Sequence, residues 1–158
     1  GNNLYSIIDS SRTEVVDSVE IPCDESNYDV VYGGDACNCF VIILQGDLEL
    51  LHYIIDSSGM GVNADVTSEA TMHESDDIRA VYHPTTGYIG ITSYGNSIDG
   101  SGAEIDDTTE FFLWEVNAMS EVTVLDSVLT LTEDLDGDDV VIDMDVIPGT
   151  RGTFLIVT

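Results

Sequence analysis

Apolar residues recur along this chain at period two more often than at the helical period. Tyr28–Tyr32, Ile78–Tyr82, Tyr88–Tyr94, Glu110–Val116 and Glu121–Leu125 all read as strands of four to eight residues bounded by turn chemistry. Glu14–Ile21 alternates loosely, with Val15, Val19 and Ile21 on one face, and Pro22 stops it. Cys39–Gln45 and Glu49–Ile55 flank Gly46-Asp47 as a hairpin, and His83-Pro84-Thr85-Thr86-Gly87 is a turn between two more strands. Val128–Thr132, Val140–Val146 and Thr153–Val157 complete the pattern. Asp56–Ser68 and Gly95–Asp107 read as loops. Ser68–Asp77 is the one helical candidate, of one or two turns. The pattern predicts an all-β, single-domain β-sandwich, jelly-roll or immunoglobulin-like, of about ten to twelve strands with little helix. No internal repeat is apparent.

One stretch concentrates the theme: Leu129–Val146, LTLTEDLDGDDVVIDMDV, reads as strand, acidic turn, strand. Ile142, Met144 and Val146 share one face of the second arm, and Asp143 and Asp145 the other. Glu133, Asp134, Asp136, Asp138 and Asp139 crowd around Gly137, where like charges repel unless solvent, salt or a hard cation relieves them. Calcium takes oxygen ligands from such a loop, so Asp134, Asp136, Asp138 and Asp139 are the candidate metal ligands. The spacing departs from an EF-hand, because Asp139 and Asp145 stand where that loop needs Gly and Glu.

Several strands are apolar on both faces. Leu51, Tyr53 and Ile55 oppose Leu50 and Ile54; Phe112, Trp114 and Val116 oppose Phe111 and Leu113; Cys39–Leu44 is apolar throughout. A half-solvated sandwich strand shows only one apolar face. The outer faces therefore need a cover, either a loop or another copy of the protein, and the second is the expectation here. The terminal segment adds to it. Leu4, Tyr5, Ile7 and Ile8 precede a polar break, so residues 1–11 form either a first strand of the domain formed by residues 12–158 or an arm donated to a neighbouring subunit.

Composition narrows the function classes. With 158 residues and 43% apolar content, the chain builds a sizeable core and is no disordered acidic tail. Its 31 carboxylates face only Arg12, Arg79 and Arg151, for a net charge of −28. Nucleic-acid binding needs the Lys and Arg this chain lacks. Membrane insertion is not expected either, because the longest apolar run, Cys39–Leu44, is too short to span a bilayer. A domain this acidic repels itself unless salt is concentrated or divalent cations bind. The opening at Gly1, without Met, is taken as support for export.

No catalytic signature stands out. His52, His73 and His83 lie in separate segments without metal-ligand spacing, and no nucleophile elbow or phosphate-binding glycine pattern occurs. Cys23, Cys37 and Cys39 are the disulfide candidates. Cys37 and Cys39 would point the same way in a strand and bridge poorly, so Cys23 with either is the expected pair. That bridge closes a loop of about fifteen residues, contributing roughly 3 kcal/mol.

The expectation is a non-enzymatic structural subunit, extracellular or at the cell surface, that self-assembles into a homo-oligomer or helical polymer. Strand donation and cation-bridged acidic loops would join the copies. One alternative is a virion protein (capsid, tail or decoration) from a halophilic host. Another is a calcium-dependent carbohydrate-binding module using Tyr82, Tyr88, Tyr94 and Trp114.

Overall fold

The computed structural model describes residues 4–8, 11–12, 14–20, 27–46, 49–56, 61–70, 77–98, 101, 104–125, 129–130 and 143–157. These residues form antiparallel sheets with no helix among them. In chain order the strands are β1 (Leu4–Ile8), β2 (Glu14–Glu20), β3 (Tyr28–Tyr32), β4 (Cys39–Gly46), β5 (Glu49–Asp56), β6 (Gly61–Ala70), β7 (Asp77–His83), β8 (Tyr88–Ile98), β9 (Glu104–Val116), β10 (Val122–Val124), β11 (Leu129–Thr130), β12 (Asp143–Val146) and β13 (Phe154–Val157).

Two larger sheets dominate. One is the four-stranded meander β3-β4-β5-β6. The other runs β10-β9-β8-β7, with β11 pairing the same strand β9 further along. Val122 opposes Val116, while Leu129 opposes Phe111. Two small pairs, β1-β2 and β12-β13, complete the described residues. The β4-β5 and β7-β8 hairpins form as their turn chemistry requires. At the second, Gly87 takes φ +79° and donates its N–H to the His83 carbonyl at 2.9 Å.

The two large sheets share one core. Val31, Val41, Ile43, Leu50 and Ile54 from the first cluster with Ile78, Ile89, Ile91, Phe112 and Trp114 from the second. Register explains the selection: Val31 pairs Val41, Val41 pairs Ile54, Ile89 pairs Trp114 and Ile91 pairs Phe112, each pair on the same face of its sheet. The arrangement is consistent with a β-sandwich. Edge strands β3 and β7 also meet through Asp29, whose Oδ2 accepts the Ala80 N–H at 2.7 Å.

The outer faces are covered differently from the expectation. Ile42, Leu44, Tyr53 and Ile55, on the outer side of β4 and β5, form a second buried cluster with Leu51 packed against it. The chain itself buries them, so no second copy is required at the centre of that face. On the other sheet, the β12-β13 pair brings Phe154 onto β9. The Phe154 ring packs edge-on against Phe111 and His83, each with centroids 5.5 Å away. Gly90 makes room for that ring: a Cβ there would stand 2.6 Å from Phe154 Cε1 and 2.7 Å from Cδ1. His83, fully buried, lies within 3.2 Å of Thr150 Oγ1 through Nε2 and accepts the Thr85 N–H at Nδ1.

Three expectations need correction. The described parts of the arms of Leu129–Val146 pair elsewhere: Leu129–Thr130 with β9 and Asp143–Val146 with β13. Each finds an apolar partner distant in sequence, Phe111 for Leu129 and Val157 for Asp143. Gly61–Ala70 is a strand, not the end of a loop followed by helix. Its Val62, Ala64 and Val66 alternate with Asn63, Asp65 and Thr67, and that period decides over the flanking glycines. Most of Gly95–Asp107 is likewise strand, because β8 and β9 continue their ladder through Gly95↔Thr108, Asn96↔Asp107 and Ile98↔Glu104. Finally, Leu4–Ile8 pairs with Glu14–Glu20 of its own chain, the first of the two arrangements open to it. The side chains of Leu4, Tyr5, Ile7 and Ile8 lie outside what the structure describes.

Gly90→Ala should lower stability by about 1–3 kcal/mol through overpacking against Phe154. In a Phe154→Ala background the same change should be nearly neutral. Urea denaturation of the four members of this cycle measures the coupling.

Candidate functional site

The residues expected to hold calcium, Asp134, Asp136, Asp138 and Asp139, lie outside the described residues, as does Cys23. Among the described residues, no three His, Cys, Asp or Glu side chains gather in a way that could hold a metal ion. No described helix is long and apolar enough to cross a membrane. Two features remain that carry chemistry or recognition: a cysteine turn, and a partly open apolar face beside it.

The turn joins β3 to β4. Cys37 and Cys39 form a disulfide with each other, which corrects the expectation that either would pair with Cys23. That expectation treated both cysteines as strand residues. Only Cys39 is one. Asn38 between them takes φ +49° and donates its N–H to the Gly34 carbonyl at 2.9 Å, so the backbone bends and the two side chains converge. Their Cα atoms are 5.2 Å apart, within the range a bridge needs. The Gly33 N–H to Cys39 carbonyl bond, 2.8 Å, closes the ladder beneath. The ring has one intervening residue, so it contributes only about 1.5 kcal/mol in the chain-entropy model, half of what the longer loop would give.

The glycines are needed at this turn. A Cβ on Gly33 would fall 2.6 Å from Cys39 Sγ and 2.8 Å from Cys37 Sγ. Gly34, at φ +104°, lies under the Tyr82 ring, 2.9 Å from where its Cβ would be. Tyr82 in turn packs edge-on against Tyr32, with centroids 5.2 Å apart. Tyr32 donates its hydroxyl proton to Asp35 Oδ1 at 2.8 Å, and this bond to a carboxylate holds the phenol above its usual pKa.

Next to the turn, the outer side of β3 and the start of β4 stays open. Tyr28 is 49% exposed, Val30 48% and Phe40 40%, whereas their cross-strand neighbours Leu44 and Ile42 and the Phe40 partner Ile55 are buried. No residue of Tyr28, Val30, Tyr32, Phe40, Ile42 and Leu44 is charged. A second apolar strip lies on β13, where Leu155 and Val157 face solvent opposite Asp145 and Asp143.

The aromatic set expected for carbohydrate contact is not assembled that way. Trp114 is fully buried in the shared core, and Tyr82, Tyr88 and Tyr94 are half-buried. Tyr28 and Phe40 are the more exposed aromatics, with the half-buried Tyr32 beside them. Pairing of β3 with β4 sets them on the same face as the buried Ile42 and Leu44, with Tyr28 and Tyr32 on the edge strand β3 and Phe40 at the start of β4.

The histidines do not converge on a site. His83 serves the β12-β13 docking. His52 is 4% exposed on the inner face of β5, edge-on to Trp114 at 5.9 Å. Its Nδ1 and the Trp114 Nε1 have no hydrogen-bond partner among the described residues. Arg79 pairs with Asp77 at 2.9 Å near Asp29. Burial raises the Asp77 pKa, Arg79 opposes that shift, and Asp29 adds to it.

Comparison with protein-family models, with curated proteins and with solved structures finds no match to the chain.

Burial pushes the His52 imidazole below its ordinary pKa of 6.5. As pH falls through 6.5, the unfolded chain gains a proton here and the folded chain does not. The stability associated with neutral His52 is therefore full above that pH and declines below it. His52→Phe should lose less stability on acidification, the difference reaching at most about 1.4 kcal/mol per pH unit. Urea titrations of both proteins between pH 7.5 and pH 5.5 measure it.

Proposed function

We propose that this protein is a non-enzymatic structural subunit that assembles with copies of itself into an extracellular filament or surface polymer. The observation that carries the proposal is the uncharged, half-open face of Tyr28, Val30 and Phe40 in a chain of net charge −28. Large apolar side chains left in solvent on a flat sheet mark surfaces that meet a partner. On a molecule this acidic, a charge-free face is where a like-charged copy approaches with the least repulsion. In this reading the acidic turn, Asp134, Asp136, Asp138 and Asp139, binds calcium and relieves the remaining repulsion. The segment Leu4–Ile8, paired with Glu14–Glu20 in the single chain, would exchange that partner for a neighbouring subunit's strand. The Cys37–Cys39 bond supports an oxidising compartment.

The sandwich in this proposal is of the jelly-roll or immunoglobulin-like kind. The sequential meander of each large sheet does not by itself supply the crossover those folds use.

Negative-stain electron microscopy at low salt, in millimolar calcium, and in calcium followed by chelator tests the reading. Ordered polymers should form in calcium and disperse with chelator, and Val30→Asp should abolish them while leaving the monomer folded. Monomers under all three conditions overturn the proposal. If those monomers fold only in molar potassium chloride, the acidity is an adaptation to salt instead.

A further inference from the structure

We propose that the Cys37–Cys39 disulfide is a thiol-exchange site, opened by a low-molecular-weight dithiol without unfolding the domain. The two sulfurs are unlike. Cys37 is half-buried, packed against the rim of the shared core in a turn whose residues Asp35, Ala36 and Asn38 are exposed, whereas Cys39 is 1% exposed and lies within that core. An incoming thiolate therefore reaches Cys37 Sγ and not Cys39 Sγ. It forms a mixed disulfide with Cys37, the protein S–S bond breaks, and Cys39 leaves as a thiolate that takes a proton. The second thiol of the reagent then attacks its own sulfur and releases Cys37 as a thiolate. Two electrons pass to the protein sulfurs, and the dithiol closes to its cyclic disulfide.

Packing decides what moves next. Unbonded sulfurs need about 3.5 Å or more between them. Cys39 Sγ is held in the core, with its backbone fixed by the Gly33 N–H. The side of Gly33 offers no further room, since both sulfurs already occupy the space a Cβ there would take and Val41 Cγ2 adjoins it. The free direction for Cys37 is outward. Its turn contains Gly34, which supports the Tyr82 ring, and Asp35, which accepts the Tyr32 hydroxyl proton. Reduction thus loosens a local aromatic group while the strands on either side keep their ladder. The small ring makes this possible, because losing it removes little of the constraint on the unfolded chain.

Charge selects the reagent. A net charge of −28, with Asp35 two residues from Cys37, disfavours thiolates that carry further carboxylates. A neutral dithiol is the better partner.

The test uses the oxidised full chain in native buffer. It is treated with dithiothreitol, pulsed with iodoacetamide, and mapped by peptide mass. Cys37 should become alkylated without denaturant, at least about tenfold faster than Cys39, as the difference in access requires. Glutathione at equal thiol concentration should react more slowly, with the gap narrowing in high salt. Gly33→Ala, whose new methyl crowds the bonded sulfurs, should be reduced at a roughly tenfold lower dithiothreitol concentration. Alkylation of Cys37 only after denaturant is added, or equal labelling of Cys37 and Cys39, overturns the proposal.

Discussion

A chain with 31 carboxylates must keep nearly all of them off the face where its two sheets meet. Most of the architecture answers to that requirement. Ile89, Ile91, Phe112 and Trp114 on one sheet and Val41, Ile43, Leu50 and Ile54 on the other meet without solvent between them, and this burial is the main favourable term available. Acids are displaced to turns and outer positions such as Asp35, Glu115, Asp143 and Asp145, which stay exposed. Asp29 is the instructive case. It stands on an edge strand and turns its carboxylate to a backbone N–H of the opposite sheet, so the charge completes a hydrogen bond where the two edges come together. Glu110, buried midway along β9, is an acid the interior does accept.

The parts of the fold that were legible in the sequence were those set by local chemistry. Pro84–Gly87 specifies a turn because few residues tolerate the backbone Gly87 adopts, and the strands flanking it, like those flanking the predicted turn at Gly46-Asp47, pair as neighbours. Legibility failed where composition and period disagreed. Gly61–Ala70 and the far halves of β8 and β9 are rich in Gly, Ser, Asn and Asp, which usually mark loops, yet they extend ladders already begun by apolar residues. It failed again where the partner is distant. Nothing near Leu129 indicates that it will face Phe111, or near Asp143 that it will face Val157.

The cysteine turn was misread for a geometric reason. Two residues apart in a strand means parallel side chains, but Asn38 lies outside strand geometry and rotates them together. The nearby Gly33-Gly34 was a signal of that bend. Glycine pairs often mark a chain reversal, and here they also mark where two sulfurs and an aromatic ring approach the backbone. The open face of Tyr28, Val30 and Phe40 was half legible. Its apolar character follows from alternation, whereas its exposure is set by the tertiary fold, which buries the neighbouring Ile42, Leu44 and Ile55.

The order of strands within each large sheet follows the order of the chain, and this bears on how the molecule is made. Each sheet can close hairpin by hairpin from contacts near in sequence, whereas the core between the sheets joins residues far apart in the chain and is the slower part to form. The four-stranded sheet also emerges first from the ribosome. Until β7 to β9 follow, it has nothing to cover Val31, Val41, Ile43, Leu50 and Ile54. A nascent chain from which β3 to β6 have emerged before β7 therefore presents a one-sided sheet with its apolar inner face open to aggregation.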